Sequence, residues 1–203
     1  AWTARARRLA AGWRRSVERV TAAPRRGALP TDAQVLGAVN RHALADRGGR
    51  ASLMVAAAGG LPGELHKLWR SADATGYHVE YGYSCMGYEI AGGLGAKLAA
   101  PSREVFVLVG DGSYLMMNSE IATSVMIGAK LVIVVLDNRG FGCISRLQDA
   151  TSGTRFNNML GPKAPAIDFV QHASSLGASA VGVDGVAGLE AALVVARRSR
   201  RTF

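Results

Sequence analysis

Cysteine is scarce. The chain holds only two, Cys85 and Cys143, and they offer neither a disulfide framework nor a metal-ligand spacing. Long apolar runs are missing too. Stretches such as 131–136 have strand length and fall far short of the ~18 residues that cross a bilayer, so no membrane partner is expected. Charged residues make up 19% against 49% hydrophobic, which excludes disorder by composition and leaves enough apolar side chain for a sizeable core. Glycine is plentiful, at 25 of 203 residues, but has no collagen-like period. The Arg-rich opening residues lack the apolar stretch and cleavage site of a secretory leader. A cytoplasmic location is the expectation.

Acidic residues are few for the number of basic ones, 15 against 24, a formal charge of +9. The excess sits at the two ends. Residues 1–26 hold eight Arg and one Glu, and residues 197–201 hold four Arg. The segment between, 27–196, carries 12 basic and 14 acidic residues, a net of −2. Basic ends attract polyanions without reading sequence, so no specific nucleic-acid partner is expected.

Periodicity organises the chain. Trp2, Ala6, Leu9, Trp13, Val17 and Val20 recur at helical spacing over residues 1–22. Pro24 and Arg25-Arg26-Gly27 read as a linker, so the expected division is 1–26, a helical tail from a preceding domain, and 27–203, the main domain. Thr31 and Gln34 form a capping-box pattern opening a helix to about Asp46. Strands are expected at 53–58, 77–81 (extended), 105–109, 131–136 and 178–183. Helices are expected through Leu65 and Trp69 and over 87–100, 115–127, 167–176 and 186–198. Segment 139–165 has no period and reads as a long loop. Continuous apolar strands separated by helices predict an α/β fold, a parallel sheet with helices on both faces. The chain ends after a helix, where alternation calls for another strand, so the last strand is expected to be missing and the chain to be part of a longer protein.

The chemistry concentrates between residues 105 and 142. A strand leads into Gly110-Asp111-Gly112-Ser113, and a helix and second strand follow before Asp137-Asn138-Arg139-Gly140. Both polar clusters therefore fall at carboxyl ends of successive parallel strands, the edge at which open α/β sheets bind ligands. Asp111 offers a carboxylate oxygen and Asn138 an amide oxygen, hard ligands suited to Mg²⁺, which keeps few protein ligands and shares phosphate oxygens. Gly112 and Ser113 offer N–H groups at a helix start, suited to phosphate. The pair points to a diphosphate held through a metal.

At this spacing and order the stretch resembles the thiamine-diphosphate-binding motif, which runs from Gly-Asp-Gly to an Asn about one strand–helix–strand unit later. The resemblance implies Mg²⁺ ligation by Asp111, Asn138 and the Gly140 carbonyl, and contact of Gly110, Gly112 and Ser113 with the diphosphate. Asp137-Asn138 stands where the family usually has Asn-Asn. Upstream, Gly82-Tyr83-Ser84-Cys85-Met86-Gly87-Tyr88 is similar to the segment of acetolactate-synthase-like enzymes that bends the cofactor. Met86 would push under it, and the Ser84 carbonyl would accept from its aminopyrimidine. The glycines Gly92, Gly93 and Gly95 weaken the helix after it and imply a close neighbour. Ala58-Gly59-Gly60-Leu61-Pro62 would bring Gly59 and Gly60 to the diphosphate, although an ordinary Gly-rich turn explains it equally.

Three stretches, Gly60 to Trp69, Gly76 to Gly93 and Gly112 to Met117, resemble the trihydroxycyclohexane-1,2-dione hydrolase family of inositol catabolism. That resemblance implies opening of a cyclic 1,2-dione ring to a deoxy-uronic acid, with thiamine diphosphate and Mg²⁺ as cofactors, in a homo-oligomer whose site lies between two chains. The family's activating glutamate would come from an amino-terminal domain, so no catalytic residue is expected in this chain. Glu80, Glu89 and Glu120 are expected to make structural hydrogen bonds. His78, Tyr81 and Tyr114 are weak candidates for substrate hydroxyls, and Arg146, Gln148 and Arg155 lie on a loop that could close over the site. An acetolactate-synthase-like carboligase and a non-catalytic diphosphate-binding fragment are the alternatives.

Overall fold

The computed structural model describes residues 1–24, 28–45, 51–151, 153–154 and 156–203. The expected division at 26/27, the end of the helix at Asp46 and the loop residue Arg155 lie outside the described residues.

Strands β1 (Leu53–Ala56), β2 (Tyr77–Val79), β3 (Val105–Gly110) and β4 (Val132–Leu136) pair in parallel, in the order β2-β1-β3-β4. Their apolar residues run without alternation because both faces are covered. On one face Met54, Ala56, Phe106, Leu108 and Val132 pack with residues of α2 (Asp32–Leu44), α3 (Leu61–Leu68) and α9 (Gly185–Arg198). On the other, Leu53, Val55, Val105, Val107 and Val109 meet α4 (Tyr88–Ala99), α5 (Asp111–Met116), α6 (Glu120–Met126) and α8 (Phe169–Ser175). The period of two along β3 thus feeds two cores. Each fully buried Phe, Leu or Val contributes about 1.5–3 kcal/mol relative to exposure.

Local signals set the helix ends. Thr31 and Gln34 close the capping box of α2: the Thr31 hydroxyl accepts from the Gln34 N–H, and the Gln34 side-chain oxygen accepts from the Thr31 N–H at 3.0 Å. In α4, a Cβ on Gly93 would overlap the Val107 side chain, so this glycine lets the helix lie directly on β3. Gly95 faces open space, and the close-neighbour argument does not extend to it.

Three sequence expectations change. The helix expected over 115–127 is two helices: α5 begins directly at Asp111, and the chain leaves helical geometry at Met117 before α6. Asn118 caps the break, its side chain donating to the Tyr114 carbonyl at 3.1 Å and its own carbonyl accepting from Ile121. The segment 139–165 is not all loop, because it contains α7 (Gly142–Thr151). Segment 178–183 forms no strand. Its neighbour would be a chain running between it and β4, and among the described residues only Thr202 and Phe203 lie there. Phe203 exchanges backbone bonds with Leu131 and Ile133, and Ser179 donates to the Thr202 carbonyl at 2.9 Å. Beyond Phe203 a cavity of about 840 Å³ separates Val135 from Val181 and Val183.

Helix α1 (Trp2–Val20) forms as its periodicity predicts, but of its apolar stripe only Val17 is buried. Trp2, Leu9 and Trp13 are exposed by 81%, 66% and 53%. The helix meets the remainder through Val17 in the core and through polar contacts: Trp13 Nε1 donates to the Lys67 carbonyl and Arg70 to the Arg14 carbonyl. Among the described residues, no helix is long and apolar enough to cross a membrane.

Candidate functional site

Strand order places the site. After β1 the chain goes to one side, to β2, and returns past β1 to form β3 and β4 on the other. Between β1 and β3 the turns at the strands' carboxyl ends diverge, leaving a crevice. A cleft of about 350 Å³ lies there, and every residue singled out for cofactor or metal lines it. Gly59 and Gly60 come from the turn after β1, and Ser84 and Met86 from the loop between β2 and α4. Gly110, Asp111, Gly112 and Ser113 come from the β3–α5 junction, and Asn138 and Gly140 from the turn after β4.

Asp111 is the centre of the geometry. Its side chain is buried, and Oδ2 accepts from the Gly140 N–H at 2.7 Å, which ties the end of β3 to the turn after β4. Oδ1 is buried too and, among the described residues, makes no hydrogen bond of good geometry, although the Gly112 and Asn138 N–H groups lie near enough to act on the carboxyl. An unsatisfied buried acceptor costs about 1–3 kcal/mol, so an oxygen left in this state calls for a cation. Burial pushes the Asp111 carboxyl up, and the N–H groups of Gly140, Gly112 and Asn138 pull it back. Mg²⁺ would find one carboxylate, one amide oxygen and a backbone carbonyl here, a sparse set that phosphate oxygens and water complete. Among the described residues no group of three or more His, Cys, Asp or Glu gathers anywhere, so a metal here would rest on a single carboxylate with amide, carbonyl and phosphate oxygens.

The turn after β4 is held in one shape. Asp137 Oδ1 accepts from the Arg139 N–H at 2.8 Å, and Arg139 takes φ 63°. Gly140 follows at φ 144°, and a Cβ on it would overlap the Asn158 carbonyl. The Phe141 ring covers Gly112 so closely that a Cβ there would reach it at 2.5 Å. A larger residue at Gly112 would push against Phe141, and one at Gly140 would push the turn away from Asn158 and Met159.

The loop carrying Ser84 and Met86 is held from within. Glu80 accepts from the N–H groups of Tyr83 and Cys85, at 3.0 and 2.6 Å. These bonds, the Cys85 one first, keep its carboxyl below the ordinary range, and Glu80 in turn raises the Cys85 thiol. Ser84 sits at φ 51° inside this bracket. Glu89 is buried behind the cleft, bonded to Ala58, Gly87 and Ser113. The cleft's carboxylates are Asp111 and Asp32, from the start of α2.

Other candidates fall elsewhere. Tyr114 is a correction: it is 1% exposed within the core, its ring against Phe169 and its hydroxyl bonded to His172 Nδ1 at 2.9 Å, so it is not free for a substrate hydroxyl. His78 pairs with the Thr75 carbonyl, and Tyr81 stacks on His66 at the surface. Arg146 does line the cleft, carried there by α7 with Cys143 and Leu147, whereas Gln148 bonds Asn158. Local sequence holds a trace of that wall in the spacing of Cys143 or Ile144 to Leu147. It holds none of Asp32, which arrives through packing of α2.

Comparison with known proteins agrees with this geometry. Residues 57–203 match the family model described as thiamine pyrophosphate enzyme, C-terminal TPP binding domain. The chain is 42% identical over 182 residues to 3D-(3,5/4)-trihydroxycyclohexane-1,2-dione hydrolase of Bacillus thuringiensis (strain Al Hakam), covering 85% of this chain and 28% of the relative. It is 45% identical over 157 residues to 3D-(3,5/4)-trihydroxycyclohexane-1,2-dione hydrolase 2 of a Bacillus cereus strain, covering 72% of this chain and 24% of that one. The chain thus spans about a quarter of the length of these relatives. Its fold is similar to that of the thiamine diphosphate-dependent 4-hydroxybenzoylformate decarboxylase of Rhodococcus jostii RHA1, with TM-score 0.77 and 21% identity over 89% of this chain and 33% of the other. With its cleft at the sheet's switch point and the family match running to the last residue, the chain belongs to the thiamine pyrophosphate enzyme family, as its C-terminal TPP-binding domain.

Proposed function

We propose that this chain is the diphosphate-binding part of a hydrolase acting on a carbon–carbon bond, which opens 3D-(3,5/4)-trihydroxycyclohexane-1,2-dione to 5-deoxy-glucuronate in myo-inositol catabolism. The relatives' names support the substrate, and the buried Asp111 Oδ1, without a hydrogen bond of good geometry beside Asn138 and Gly140, carries the site assignment. Bound thiamine diphosphate would supply a nucleophilic carbon able to attack a carbonyl and release the adjacent carbon–carbon bond. The chain's own residues do the holding. Asp111 Oδ1, the Asn138 side-chain oxygen and the Gly140 carbonyl would ligate Mg²⁺, and the Gly59–Gly60 and Gly112–Ser113 turns would border the diphosphate. Met86 would support the cofactor's bend, and the Ser84 carbonyl would accept from its amine. Phe141, Ile144 and Leu147 give the cleft an apolar wall that limits water.

The proton transfer that activates the cofactor would come from a glutamate outside this chain, in an amino-terminal domain of a neighbouring subunit, so the working unit is a homo-oligomer. The complete enzyme assayed with the cyclic dione and with pyruvate tests the reading. Ring opening of the dione with release of the uronic acid supports it. Turnover of pyruvate to acetolactate, with none of the dione, replaces it by the carboligase reading.

A further inference from the structure

Glu89 is a carboxyl group 1% exposed, at the first turn of α4, and it does not line the cleft. Its two oxygens nonetheless reach three of the turns that do. Oε1 accepts from the Ala58 N–H at 3.4 Å, beside Gly59 and Gly60. Oε2 accepts from the Gly87 N–H at 3.0 Å, beside Met86. The Ser113 hydroxyl lies 2.8 Å from both oxygens, and it also accepts from the Gly87 N–H at 2.8 Å. The Ser113 side chain is therefore turned away from the cleft and spent on this cluster. All the groups that meet at Glu89 are neutral, one hydroxyl and two backbone N–H groups. The negative end sits at the start of α4, where the helix dipole favours it. A buried carboxylate needs such a full set of donors, and here those donors come from three separate segments.

Building on the proposed cofactor site, we infer that Glu89 is a positioning residue that fixes the turn after β1, the Met86 loop and the β3–α5 junction in one mutual arrangement. That arrangement sets the distance between the support under the cofactor and the backbone groups that border its diphosphate. Hydrogen bonds to a charged acceptor are stronger than neutral ones, and here they tie segments that lie far apart in the chain. Glu89→Gln keeps the shape but turns one acceptor into a donor that faces another donor. The clamp then loosens on both sides, because the Ser113 hydroxyl bonds both oxygens and couples them.

Two measurements on the 203-residue chain test this. In titrations with Mg²⁺ and thiamine diphosphate, Glu89→Gln should bind at least about tenfold more weakly in protein whose circular dichroism shows the native fold. Ser113→Ala should weaken binding in the same direction, and the double variant should be no weaker than Glu89→Gln alone, because the two side chains form one unit. If Glu89→Gln does not fold, Ser113→Ala carries the comparison. In the cofactor-free chain, amide hydrogen exchange at both Ala58 and Gly87 should accelerate in the variant. Unchanged affinity, or faster exchange at Gly87 without Ala58, overturns the clamp. If the unaltered chain alone binds no thiamine diphosphate, the titrations are made on the complete enzyme; if that too binds none, the cofactor reading fails and hydrogen exchange alone decides the role of Glu89.

Discussion

At the scale of single residues, the site depends on a few side chains whose surroundings leave no substitute. Gly140 combines φ 144° with a neighbouring carbonyl in the place of a Cβ. Gly140→Ala should lower the unfolding free energy by about 1–3 kcal/mol, read from denaturant midpoints, and weaken metal-dependent cofactor binding because the ligating carbonyl moves. Tyr77 gives a pH prediction. Its hydroxyl lies 2.6 Å from His66 Nδ1, and burial raises its pKa to about 12. A phenol whose pKa is higher folded than unfolded stabilises the fold fully below pH 10 and loses that contribution as pH rises through 12. Urea titrations should show stability falling over that interval, and Tyr77→Phe should flatten the fall. Legibility differed sharply among such residues. That Asp111 and Asn138 share one cleft could be read from sequence because they stand at the carboxyl ends of two neighbouring parallel strands. Tyr114 could not be placed, because the same spacing beside the motif serves a cleft or a core, and only packing against Phe169 and His172 decides.

At the scale of elements, helices and strands with a buried stripe were legible and those facing the cleft or lacking a partner were not. Strands β1, β3 and β4 emerge from continuous apolar runs because each is covered on both faces. Helix α7 was hidden: its Ile144 and Leu147 face a cleft, 41% and 55% exposed, so no core pattern marks them. Segment 178–183 has strand composition and fails to become a strand because pairing is a property of two chains, and its neighbour among the described residues is Thr202 and Phe203 alone. The capping box of α2 lies at the surface, next to the cleft residue Asp32. Thr31→Ala should cost about 1 kcal/mol, seen as a lower thermal midpoint. Phe106 lies at 0% exposure in the central strand, and Phe106→Ala should cost about 3–5 kcal/mol in the same measurement.

At the scale of the whole molecule, the proposed function makes the cleft one wall of a larger site. Leu115, Met116, Met117, Met126 and Ile127 are all 43% or more exposed on α5, α6 and the residues that follow them, an apolar surface of the kind that marks an interface. Under the proposed function, the chain alone should turn over the cyclic dione at least about 10²-fold more slowly than the complete enzyme, since general acid–base help is worth about that much. Turnover within about tenfold of the complete enzyme would place the activating group in this chain. The most direct test of the central claim is calorimetric titration of the chain with thiamine diphosphate, with Mg²⁺ and with excess chelator, repeated for Asp111→Ala and Asn138→Ala. Binding that requires Mg²⁺ and disappears in both variants is the predicted result; binding that survives the chelator or either substitution would contradict it.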